Sequence, residues 1–391
     1  MKKIFALFLS IIMVYNIPTT VKASTVTNEQ GSKELYVASS AESMEVDKLA
    51  IEYLSKAKIM LASDSLTIGF TEYELKNALL GNPFSIYAFN EKGQFVPSNT
   101  KVYPIFCGNQ IVGIMEIYYN STDSEYYYTL GRAYADELNK LRYSSNVDFE
   151  NIVFIGQVAD KLFVTDGKNV DVILEMPVEK MPTVSVSELE EICTNLTVDE
   201  STDYAVICEP ELDNVFTTQN IMPLVSIKDT RSLDVPHVEQ TGVCGVAAWA
   251  AVLNYRFGTS YTNDSLALEM ANGYTNGKYN APNMGDYKNF ANDKYDADCV
   301  YTTPPSFTTV LNTIADKKPI MGYWESGSGT NFSTHAILIT GFSYLNSVPA
   351  DRYYIVKNPW YTYTQWISVT DPDSVTYVNG TRTWSLKSAV Y

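Results

Sequence analysis

Gln240-Thr241-Gly242-Val243-Cys244-Gly245 is followed directly by an apolar run with helical spacing. Val246, Ala250, Leu253 and Phe257 recur at steps of four, three and four, and Gly258 supplies a stop signal. The spacing predicts a helix whose first turn carries Cys244. There the unsatisfied N–H groups and the positive end of the helix dipole favour an anion. A thiolate is such an anion, and thiols in this setting, above all beside a histidine, have pKa values lowered to roughly 3.5–7.5. The 391-residue chain contains only two histidines, His237 and His335, so the search for a partner base is short.

His335 opens the run Ala336-Ile337-Leu338-Ile339-Thr340, whose apolar residues on both faces predict a central, buried strand. A histidine at the start of such a strand is held rigidly, as a general base must be. Tyr353-Tyr354-Ile355-Val356-Lys357 reads as a second buried strand and ends in Asn358-Pro359-Trp360. An amide at the end of a neighbouring strand can accept the imidazole N–H and fix its tautomer, as the third group of a triad does. Trp360 is placed to cover that bond. Each element alone has an ordinary structural explanation: a small buried thiol, a core histidine, a turn. Their arrival in the order Cys, His, Asn, with Gln240 just upstream of the thiol, points to nucleophilic catalysis. His237 precedes Cys244 on an extended segment and is the weaker choice of base.

The remaining composition narrows the class. Residues 1–23 show a basic start, an apolar run over 4–17 and a small-residue site at Ala23, the pattern of a secretory signal. That run is shorter than the ~18 residues of a membrane span, and a retained amphipathic anchor is the alternative. No later stretch could span a bilayer. Residues 231–391 carry 11 Lys+Arg and 13 Asp+Glu, whereas 24–230 carry 14 and 32. A net charge of −18 upstream, with no basic stripe, argues against nucleic acid and anionic membrane surfaces as partners. The acidity either solvates the surface or marks a separate module. Cys107, Cys193, Cys208, Cys244 and Cys299 leave an odd thiol, and a Cys193–Cys208 bridge is one pairing open to them. There is no zinc-ligand spacing, phosphate loop or GxSxG turn, so no metal and no cofactor is expected.

Patterning divides the chain at about 230. Upstream, 45–62 and 124–142 read as helices, 84–87 as a strand, and 102–106 with 111–119 as a hairpin around Gly108-Asn109. Two or more strands fill 151–176, which makes an α+β domain. The stretch 219–236 lacks periodicity, contains Pro223 and Pro236, and marks the junction. Downstream come helices near 263–272 and 305–316 around a polar stretch at 273–298. Strands follow at 320–324, 334–344, 353–357, 365–370 and 381–386.

Residues 233–391 resemble a papain-like cysteine peptidase of the compact bacterial kind, similar to the staphopains and secreted C39-like peptidases. The matching residues are Leu233-Asp234-Val235-Pro236, Gln240, Cys244-Gly245, Thr334 to Gly341, and Asn358-Pro359-Trp360. The resemblance implies Cys244 as nucleophile, His335 as base, Asn358 as its orienting group, and Gln240 donating to the oxyanion with the Cys244 N–H. It implies a papain-like α+β peptidase domain at 231–391, preceded by an α+β region at 24–230 that is either an inhibitory pro-region or an accessory domain. This sequence departs from plant papains in placing Gly245, not tryptophan, after the nucleophile. The Gln-to-Cys gap is shorter, and so is the interval of 91 residues from Cys244 to His335. The expected function is a secreted cysteine endopeptidase made as a zymogen, acting on protein or peptide substrates. An acyltransferase using the same site and a non-catalytic binding protein retaining the fold are the alternatives.

Overall fold

The computed structural model describes residues 35–39, 44–62, 65–90, 92–121, 123–143, 147, 152–176, 183–194, 196, 204–207, 228–275, 281–327, 333–345, 351–369 and 375–391. The expected signal segment 1–23 lies outside these residues. So does Cys208, and with it the Cys193–Cys208 pairing.

The chain is a mixed α+β protein built on one large sheet, sixteen-stranded among the described residues. Along it the order is Tyr301–Thr302, Arg382–Val390, Ile320–Ser326, Ser333–Leu345, Asp351–Lys357, Gln365–Ser368, Glu125–Gly131, Gln110–Asn120, Phe95–Cys107, Phe84–Phe89, Phe154–Val158, Lys161–Thr165 and Val170–Glu175. Pairing is antiparallel except between Phe84–Phe89 and Phe154–Val158. Three short strands attach to this path: Lys228–Ser232, Thr376–Asn379 and Leu79–Leu80.

The expected helix at Cys244 spans Cys244–Phe257, and all of its first ten residues are buried. Its alanines let it sit inside the protein, where a helix apolar on every side belongs. Gly258 ends it in the left-handed conformation, φ 64°. This helix lies against the strands Ile320–Ser326 and Ser333–Leu345 in a core with Trp249, Leu253, Met321 and Leu338.

Two expectations are corrected. The segment 124–142 is not one helix but the strand Glu125–Gly131 followed by the helix Ala135–Tyr143. Tyr126, Tyr127, Tyr128 and Thr129 suit a pleated surface, and ladders on both sides of the strand hold it extended. The stretch 273–298 is not merely polar, for it contains the helix Met284–Tyr295. Asn283 and Asp286 form a capping box at its start. The junction region also carries structure: Lys228–Ser232 pairs with the end of the His335 strand, Lys228 opposite Leu345 and Ser232 opposite Gly341.

The two halves share backbone bonds and core. Gln365, Trp366 and Ile367 pair with Gly131, Leu130 and Thr129. Leu345, Tyr353, Ile355 and Trp366 are buried in the same cluster as the upstream helix Met44–Met60. Bulk charge does not hold this contact, since both parts are acidic. Lys56 of the upstream half instead meets Asp351 at 2.9 Å, and Thr129 Oγ1 donates to Val378 O at 2.9 Å.

Glu116 bonds across this junction. It is buried, and its carboxylate oxygens each lie 3.1 Å from the Gly380 N–H, while the Tyr134 hydroxyl donates to Oε1 at 3.0 Å. Burial outweighs these bonds and pushes its pKa up to about 7 from 4.5. The folded state therefore holds this proton more tightly than the unfolded chain does. The associated stability is present in full below about pH 4.5 and falls as pH rises through about 7, by roughly 3 kcal/mol. Urea midpoints at about pH 5 and about pH 8 should show a loss in the native protein that is smaller in Glu116→Gln. An equal loss in both would exclude Glu116 as its source.

Candidate active site

Cys244 begins its helix behind Val243, an extended N-cap (φ −77°, ψ 122°) that offers no side-chain bond to the first turn. The loop before it is fastened from the next helix: Asn263 Nδ2 donates to Val243 O at 2.9 Å, and Asn263 Oδ1 accepts from Thr241 Oγ1 at 3.2 Å. Gly245 follows because there is no room for more. A Cβ there would collide with the Tyr287 hydroxyl, brought in by the helix Met284–Tyr295.

His335 pairs with Trp324 in the sheet and is 1 % exposed. The next strand leaves its ladder at Lys357, opposite Leu338, and this brings the Asn358 amide to the imidazole. The distance from His335 Nε2 to Asn358 Oδ1 is 2.9 Å. The backbone N–H of Trp360 also donates to Asn358 Oδ1, at 3.0 Å, so that oxygen is an acceptor on both counts. Nε2 must then carry the proton, and Nδ1 keeps its lone pair. Nδ1 is buried and has no hydrogen-bond partner among the described residues. The Trp360 ring stacks on the imidazole at 4.0 Å and 15°, and Trp384 leans on it at 5.4 Å.

Cys244 and His335 line one cavity of about 710 Å³, together with Met284, Tyr287, Tyr323 and Ser388. Burial pulls the pKa of His335 down to about 4, against the opposing effect of the Asn358 bond. At neutral pH the imidazole is a neutral base. A proton taken from a thiol would leave a thiolate whose charge in turn favours the imidazolium.

The other residues named from sequence fall elsewhere. Gln240 does not line the cavity, and its Nε2 donates to Gly242 O in its own loop at 3.1 Å. His237 is half-buried and outside the cavity; burial and the Lys357 charge hold its pKa low. Cys193 and Cys299 are buried away from the cavity, and burial raises both thiols. Sequence reasoning missed Met284 and Tyr287, although Asn283 and Asp286 flank a start signal for their helix. No three His, Cys, Asp or Glu side chains among the described residues converge as metal ligands. No described helix is long and apolar enough to cross a membrane.

Residues 232–383 match the profile of the Peptidase_C39 like family. Among solved structures, a C39-like peptidase from Bacillus anthracis matches at 12% identity and a TM-score of 0.25, over 37% of this chain and 99% of that one. UfSP from C. elegans matches at 11% identity and a TM-score of 0.26, over 91% of this chain and 74% of that one. No curated protein matches the sequence. The family match supports a cysteine peptidase.

In a Cys244→Ala variant the imidazole has no thiolate to pair with, so an NMR titration of His335 should show a midpoint near 4. Its folded value lies below the unfolded 6.5. The associated stability is therefore present above about pH 6.5 and lost as pH falls through about 4. A midpoint at or above 6.5 would mean that the ring is open to water.

Proposed function

We propose that the chain is a papain-like cysteine endopeptidase in which Cys244 attacks, His335 shuttles the proton and Asn358 orients the imidazole. The observation that supports it most is that Cys244 and His335 line one cavity, while His335 Nε2–H is bound by Asn358 and Nδ1 has no hydrogen-bond partner among the described residues. In this reading Nδ1 takes the thiol proton and the thiolate adds to the peptide carbonyl carbon. The carbonyl oxygen becomes an anion beside the backbone N–H at the start of the Cys244 helix. The imidazolium returns the proton to the departing amine, leaving a thioester. Water, deprotonated by the same imidazole, then releases the acid and restores the thiol. Gln240 joins the oxyanion site only by exchanging Gly242 O for substrate. The likeness to the staphopains belongs to this reading, as does export directed by residues 1–23.

A supporting part for the upstream half belongs to the same reading. Among the described residues, none from 35–207 lines the cavity. They continue the sheet beyond Gln365–Ser368, and Trp360 packs against their core. We therefore read residues 24–230 as a support retained in the working enzyme. N-terminal sequencing of protein recovered from culture medium should find a start near Ser24. A mature start near Ser232 would favour the removable pro-region instead.

Cys244→Ala and His335→Ala should each lower hydrolysis of casein by on the order of 10⁴-fold or more, and the double variant by no more than either. Asn358→Ala should be milder, because its amide orients the base and carries no charge. His237→Ala should retain activity. A folded Cys244→Ala protein that cleaved casein at the native rate would refute this mechanism.

A further inference from the structure

Asn358 is held on its far side as well, by two residues that do not touch the imidazole. Asn358 Nδ2 donates to the Tyr377 hydroxyl at 3.1 Å, and that hydroxyl donates to Gln365 Oε1 at 2.6 Å. Asn358, Tyr377 and Gln365 are all at most 1 % exposed, so water does not compete for these bonds. Gln365 lies between two ladders, opposite Val356 on one side and Gly131 of the upstream half on the other.

The order of donors in this chain matters. An asparagine amide turned by half a rotation would present N–H₂ to His335 Nε2 in place of oxygen. Nε2 would then have to accept, Nδ1 would carry the proton, and the imidazole could not receive one from Cys244. The Trp360 N–H already opposes that turn from the oxygen's side; a tyrosine hydroxyl on the amide's other side adds to it only when its own polarity is set, because it can donate or accept. Once its proton is committed to Gln365 Oε1, the face it turns to Asn358 is an acceptor, which suits Nδ2 only.

We propose that Tyr377 is a positioning residue for the His335–Asn358 pair, with Gln365 fixing the polarity of its hydroxyl. The inference rests on the Cys244–His335–Asn358 reading above. It also gives the upstream half a part in the chemistry, since the strand Glu125–Gly131 pairs with the strand that carries Gln365.

The test is Tyr377→Phe in the full chain, which removes one oxygen and keeps the ring against Trp324. With a fluorogenic peptide, kcat should fall about tenfold while KM stays within about twofold. The imidazolium loses an assured acceptor, so the alkaline limb of the pH–rate profile should move to lower pH. Alkylation of Cys244 by iodoacetamide at neutral pH should slow in parallel. Gln365→Met, which keeps the length and removes the acceptor, should shift the same limb in the same direction. It carries the test if Tyr377→Phe does not fold. Unchanged kcat and pH limbs in a folded variant would overturn the proposal, as would a loss of kcat with an unmoved limb. Cys244→Ala separates the two levels of failure. If that variant stays active, the peptidase site itself is misassigned; if it is inactive while Tyr377→Phe behaves as native, only the relay is wrong.

Discussion

The hydrogen bond between His335 Nε2 and Asn358 Oδ1 is the constraint around which the downstream half is arranged. An imidazole this deeply buried loses its hydration, and burial alone drives it towards the neutral form. A buried neutral imidazole is a useful base only if the correct nitrogen is bare. The second bond to Oδ1 from the Trp360 N–H, the Trp360 ring over the imidazole, and the strand ending at Lys357 all serve that one assignment.

That arrangement requires the two sides of the site to be rigid relative to each other. The Cys244 side is a helix packed into an aromatic and aliphatic core, with its leading loop tied down by Asn263. The His335 side is a strand with ladders on both edges. The sheet continues from there into the upstream half without an edge, through Gln365–Ser368 and Glu125–Gly131. An exposed strand edge at Gln365 would offer unpaired backbone groups to other chains; the upstream strand covers it.

Much of the local structure was legible because local patterns carried it. The helix at Cys244 could be read from its apolar spacing and Gly258, and the hairpin around Gly108-Asn109 from its turn residues. Trp360 could be placed over the His335–Asn358 bond because it lies two residues beyond Asn358. What escaped reading depends on partners distant in sequence. Nothing near Tyr126-Tyr127-Tyr128 announces a pairing with Gln365–Ser368, and the tyrosines look equally at home in an amphipathic helix. Tyr377 gains its role only when three strands bring it between Asn358 and Gln365. The helix Met284–Tyr295 is a different case: its cap residues were in plain view, and the polar composition around them concealed it.

The joined sheet also bears on when the enzyme can first act. Thr129 and Val378 bond across a separation of 249 residues, and contacts of such range form late, after their loop-closure entropy has been met. Chains of this size emerge and fold from the N-terminal side. The upstream strands exist long before the strand that completes them, and Trp384 beside the imidazole arrives later still. A nascent chain thus carries its nucleophile well ahead of an oriented base. On the proposed Cys244–His335–Asn358 reading, timing built into the topology keeps the thiol idle while the rest of its own polypeptide is still being made.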